Sequence, residues 1–175
     1  MAERVVLLRA VNVGGAKLPM ERLRAIADEL GARDVSTYIA SGNLLCTPPG
    51  DPADFDRALE ARIEAELGFF REAISRTPDE LRQALDAYPF EVLEPKLAHI
   101  YFLAATPSPE AVADLAARDL GPDLARVIGR DLHVRFADGV ASSPLTAPFV
   151  ARVLGTPGTA RNLRTIAALV EKAST

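Results

Sequence analysis

Between residues 4 and 76 the hydrophobic pattern switches repeatedly between strand-like and helix-like, and the order of those switches leaves few folds open. Residues 4 to 10, Arg-Val-Val-Leu-Leu-Arg-Ala, are a near-continuous apolar run, the pattern of a strand buried on both faces. Pro19 then opens a helix whose Met20, Leu23, Ile26, Ala27 and Leu30 share one stripe, and Gly31 is placed to end it. Val35 to Ala40 and Leu44 to Thr47 read as a hairpin around Ser41-Gly42-Asn43. After the turn-rich connector Pro48 to Pro52, the residues Phe55, Leu59, Ile63 and Leu67 mark a second amphipathic helix, which Gly68 stops. Glu72 to Arg76 is a short strand.

The series is β-α-β-β-α-β, the order of a ferredoxin-like split unit. Thr77-Pro-Asp-Glu80 forms a capping box for a linking helix that runs to about Ala87. The order then recurs. His99 to Ala105 is a strand, Pro109 to Leu120 a helix, Ala125 to Ile128 with Leu132 to Phe136 a second hairpin, and Pro148 to Leu154 and Asn162 to Lys172 are helices. The fold expected is therefore α+β: two fused ferredoxin-like halves with antiparallel sheets, residues 1–76 and 77–175, the second with a helical C-terminus and its final strand missing or replaced. No repeat is visible in the residues themselves, so the duplication rests on element order.

Three segments stand out as polar interruptions: Arg9-Ala-Val-Asn-Val-Gly-Gly15, Thr37-Tyr-Ile-Ala-Ser-Gly-Asn43 and Thr159-Ala-Arg-Asn-Leu-Arg-Thr165. Together with Val5-Val-Leu-Leu, Met20, Leu23 and Gly31 they resemble the signatures of the domain-of-unknown-function 1697 family of uncharacterised bacterial proteins. The chain departs from the family pattern at Ala10, where glycine is usual, at Cys46, where an aromatic is common, and at Leu163, where tryptophan usually follows the Arg-Asn pair. The resemblance implies no reaction, so enzymatic activity stays open and no cofactor is expected.

In a split β-α-β unit the loop after the first strand and the turn between the second and third share one edge, which sets Asn12 to Gly15 beside Ser41 to Asn43. Each residue has a plain reading and a functional one. Gly14 and Gly15 either form a turn needing positive φ or a nest of backbone N–H groups for an anion. Ser41 and Asn43 either shape the hairpin or offer a hydroxyl and an amide to a ligand. Tyr38 packs across strands or faces solvent as a donor, and Arg9 is an ion-paired strand end or reaches over the same edge. Thr159 reads as the N-cap of the last helix, with Arg161 and Asn162 in its first turn. A cation there is electrostatically unfavourable unless an anion joins it, which makes Arg161 a ligand candidate.

The other polar residues point to structure. His99 and His133 sit in strands without companions at metal-ligand spacing, so no metal is expected. Cys46 follows Leu44 and Leu45 and reads as a small core residue. Asp51, Asp54 and Asp56 are expected to cap and solvate the second helix. No Ser-His-Asp set or carboxylate pair is visible.

Composition narrows the partners. A net charge of −4 opposes a polyanion as main partner, since phosphate contacts need a surplus of Lys and Arg. The absence of the aromatics that RNA-recognition sheets use for stacking argues against a nucleic-acid partner. The single cysteine excludes an internal disulfide, and no run approaches the roughly 18 apolar residues of a membrane span. A cytoplasmic protein without a membrane partner is expected. The leading expectation is a binder of a small phosphate or carboxylate; the alternatives are a phosphate or acyl-phosphate hydrolase, and a nucleic-acid-binding or protein-interaction module.

Overall fold

The computed structural model describes residues 1–175. It is a mixed α+β protein with two four-stranded antiparallel sheets and six α-helices. The chain divides into two compact units, Met1–Arg82 with Ala168–Thr175, and Gln83–Ala167.

In the first unit β1 (Arg4–Leu8), β2 (Arg33–Thr37), β3 (Asn43–Thr47) and β4 (Ala73–Arg76) lie in the order β2-β3-β1-β4. The helices α1 (Met20–Glu29) and α2 (Pro52–Leu67) supply Leu23, Ile26, Phe55, Leu59 and Ile63 to a core shared with Val6, Leu8 and Leu44 of the sheet. Arg22 and Arg62 bind Glu29 and Glu66, tying the exposed faces of the two helices together. Asp51 caps α2, its Oδ1 accepting from the N–H groups of Ala53 at 2.8 Å and Asp54 at 3.2 Å. Asp56 does not solvate the helix as expected. It is buried, and its Oδ2 accepts a 2.6 Å hydrogen bond from Ser75 Oγ, because α2 turns this position onto β4. The linking helix α3 (Pro78–Asp86) starts on the Thr77–Glu80 box: Thr77 Oγ1 accepts from Glu80 N–H, and Glu80 accepts in return from Thr77 N–H.

In the second unit β5 (Ala98–Leu103), β6 (Leu124–Ile128), β7 (Asp131–Arg135) and β8 (Gly158–Asn162) lie in the order β6-β7-β5-β8. With α4 (Pro109–Ala116) and α5 (Ala147–Leu154) they enclose Tyr101, Leu103, Leu132, Val134, Phe136, Leu145, Val150 and Leu154. The last helix, α6 (Leu163–Ala173), buries Ile166, Leu169 and Ala173.

Two expectations for this half are corrected. Its final strand is present: β8 pairs with β5 along Gly158 to Asn162. Thr159 is therefore mid-strand and caps nothing, and the helix starts three residues later on Asn162, whose Oδ1 accepts from Thr165 N–H at 2.8 Å. Pairing to an open edge of β5 satisfies backbone groups that the loop expected here would have left to water.

Candidate functional site

The strand order of the first unit brings the C-terminal ends of β1 and β2 and the N-terminal ends of β3 and β4 to one edge. Leu8 N–H donates to Gly42 C=O at 2.9 Å and Arg9 N–H to Glu72 C=O at 3.0 Å, so three loops meet there. Asn12 holds the first of them. Its Oδ1 accepts from Leu18 N–H at 2.8 Å, and its Nδ2 donates to the carbonyls of Leu18 and Ala40. Ala16 N–H donates to Val13 C=O at 3.1 Å, closing a tight turn with Gly14 and Gly15 at its centre. Both have positive φ, 57° and 88°, the paired left-handed conformation that glycine adopts at least cost.

Asn43 is fully buried, and its Nδ2 donates at 2.9 Å to both Tyr38 C=O and Ser41 Oγ. Gly42, φ 85°, has no room for a side chain: a Cβ would stand 2.5 Å from Val11 Cγ2 and 3.0 Å from Leu8 Cβ. The Ser-Gly-Asn segment is thus explained by packing and turn geometry. Arg9 reaches Glu72, with Nη1 3.3 Å from Oε2, and Tyr38 is half-buried with Lys172 Nζ 5.8 Å from its ring centre. Of the expected ligand contacts on this edge, Asn12, Ser41 and Asn43 bind the protein's own loops. Gly14 and Gly15 lie in an exposed turn.

In the second unit, Thr159 and Arg161 are buried residues of β8, opposite Phe102 and Ile100 of β5. Arg161 Nη1 donates to Thr159 Oγ1 at 2.7 Å and to Ala160 C=O at 2.9 Å. Burial pushes its guanidinium down to about 10. Asn162 stands at the mouth of a cleft of about 280 Å³ that it lines with Glu94, Pro95, Lys96 and Arg164. A short 3-10 turn, Pro95–Leu97, forms one wall and the first turn of α6 the other. Lys96 Nζ lies 3.4 Å from Glu94 Oε2, while Arg164 is exposed in the first turn of α6. Sequence reasoning passed over Lys96 and Arg164. Arg164 lies within the third polar segment, and the signal that would have selected it is the true helix start at Asn162.

Burial also shifts the thiol and the two imidazoles. Burial, reinforced by nearby Asp56, pushes the Cys46 thiol up to about 12, so it stays protonated. Burial pushes His133 down to about 4 and His99 below its usual value. No group of three His, Cys, Asp or Glu residues is placed to hold a metal ion.

Two four-stranded antiparallel sheets, each carrying helices, with polar strand-end loops bearing the distinctive residues, define the class of this protein. The signature described as "Protein of unknown function (DUF1697)" matches residues 1–133, and the chain belongs to that family. Among solved structures it is similar to the conserved bacterial protein SP0830 from Streptococcus pneumoniae, with a TM-score of 0.72 at 20% identity, covering 100% of this chain and 99% of that one. That likeness is one of fold. No curated protein matches the chain.

Proposed function

We propose that the protein binds a small anionic ligand, a phosphate or carboxylate, in the cleft between the Pro95–Leu97 turn and the start of α6. The supporting observation is a concave site with Lys96 and Arg164 on its walls, at a helix N-terminus, in a chain whose net charge is −4. Arg164 in the first turn of a helix, with Lys96 on the opposite wall, adds positive charge at a helix N-terminus that a bound anion would offset. Arg164 would supply a planar pair of donors and Lys96 a compact charge, with Glu94 disfavouring ligands of more than modest charge. Asn162 would fix the helix end, and Arg161 and Thr159 would brace β8 behind it. Arg9, Tyr38 and the N–H groups of Gly14 and Gly15 would serve as a lesser contact set in the first unit, on the scaffold made by Asn12, Ser41 and Asn43.

In the same reading the two sheets descend from one ferredoxin-like plan, with halves 1–76 and 77–175, and the protein acts in the cytoplasm. The β-α-β-β-α-β order in each half supports the first. The lack of a placed nucleophile and base favours binding over hydrolysis. Isothermal titration with inorganic phosphate, pyrophosphate and acetate tests the site. Arg164→Ala and Lys96→Ala should each weaken a bound anion by about tenfold, the loss of one charge-assisted contact. Affinity unchanged in both variants would place the ligand elsewhere.

A further inference from the structure

The loop edge of the first unit holds apolar side chains out in solvent, on loops that are hydrogen-bonded to one another. Each of its three loops presents one: Val13 is 59% exposed, Ile39 51% and Phe70 46%. Three of the four non-glycine residues with positive φ are here, Ala10 at 53°, Asn12 at 57° and Ile39 at 49°. For the β-branched Ile39 this is a strained backbone, of the kind that persists only where the surroundings impose it. The surroundings do impose it. Asn12 bonds Leu18 and Ala40, and Arg71 crosses between loops, donating from Nε to Ala10 C=O at 3.0 Å and from Nη1 to Phe70 C=O at 2.7 Å. A loose loop would fold its apolar tip inward; these cannot. Fixing such groups in advance lowers the ordering cost of docking.

Charge and shape select the occupant. Residues 9–19, 38–43 and 68–72 carry Arg9, Lys17 and Arg71 against Glu72 alone, and Lys172 lies over Tyr38, in a chain that is acidic as a whole. A second copy of the same cationic edge would be repelled. The tip beside Val13 stands clear of its surroundings: nothing lies within 4 Å of a Cβ built on Gly14 or Gly15. An edge of protruding tips fits a broad surface. Two of its three apices are aliphatic, suited to hydrocarbon and not to base stacking.

We propose that this edge docks reversibly on an anionic lipid surface, with Val13, Ile39 and Phe70 entering the boundary between headgroups and acyl chains and Lys17, Arg71 and Arg9 set among the headgroups. No helix is long and apolar enough to cross a membrane, so the association is peripheral.

The test is sedimentation of the full chain with vesicles of phosphatidylcholine, with and without phosphatidylglycerol. Binding to the anionic vesicles is expected, weakened about tenfold or more on the zwitterionic ones and by high salt. Ile39→Asn is the decisive variant, because asparagine accepts the left-handed conformation; it should unfold at a higher temperature than wild type yet bind anionic vesicles about tenfold less. Failure to sediment with either vesicle, equal binding to both, or full binding by a folded Ile39→Asn variant overturns the proposal. So does tight binding of single-stranded oligothymidine that vesicles do not displace, which would assign the edge to nucleic acid.

Discussion

Replacing His133 with leucine should remove a definite part of the protein's sensitivity to acid. The side chain lies in the middle of β7 with no solvent exposure, and neither ring nitrogen has a hydrogen-bond partner. The Tyr88 ring is 5.8 Å away, and Arg126 stands directly across the strand pair, so an imidazolium would find no relief. Burial pushes the group down to about 4, against an ordinary 6.5. Between those values the unfolded chain binds a proton that the folded chain refuses, so stability falls as pH falls through the window. Linkage with these two pKa values gives a loss of about 2 kcal/mol between pH 7.5 and 5, and a limit of about 3 kcal/mol below pH 4. His99 acts in the same sense; Asp56 and Glu60, whose carboxyls burial pushes up, act in the opposite one. All three cancel in the difference between wild type and His133→Leu. That difference should grow by about 2 kcal/mol in favour of the variant from pH 7.5 to 5, in urea unfolding followed by tyrosine fluorescence. The chain has three tyrosines and no tryptophan, and Tyr88 and Tyr101 both belong to the second unit, so the signal reports mainly on the unit that holds His133. A difference that stays flat with pH would mean that His133 reaches water or a partner in the folded protein, and would refute the reasoning.

Gly42→Ala should destabilise the first unit by about 2–3 kcal/mol, since it combines an unfavourable φ with a collision against Val11 and Leu8; chemical denaturation gives the value. Asn162 can be split into its two roles. Asn162→Asp should keep the α6 cap and the melting temperature but lose anion binding in calorimetry, whereas Asn162→Ala should cost about 1 kcal/mol of stability.

Much of the fold could be read from local signals because the structure uses them locally. Gly68 ends α2 in the left-handed conformation with its N–H on Glu64 C=O, Thr77 and Glu80 close their capping box, and the unbroken apolar run of residues 5–8 is the buried strand it resembles. The two loops that the strand order sets on one edge do meet there, through Asn12 Nδ2 donating to Ala40 C=O. Their side-chain roles were not legible. Whether an asparagine amide faces a ligand or a neighbouring carbonyl depends on the path of a loop about thirty residues away.

The strand β8 was hidden for a different reason. Gly155-Thr-Pro-Gly-Thr-Ala contains two glycines and a proline and no large apolar residue, so every local preference argues for a loop. What makes it a strand is β5. A Cβ on Gly158 would stand 2.9 Å from Leu103 Cδ2 and 3.2 Å from Phe102 C=O, so glycine here admits a close neighbour and does not mark a turn. Moving the helix start from Thr159 to Asn162 changes the functional argument. A cation in the first turn of a helix still calls for an anion, but Arg161 now lies in the strand, bonded to Thr159 and Ala160, and the first-turn cation is Arg164. The cation nearest the helix start is thus an exposed arginine that lines a cleft together with Lys96, and not a buried one.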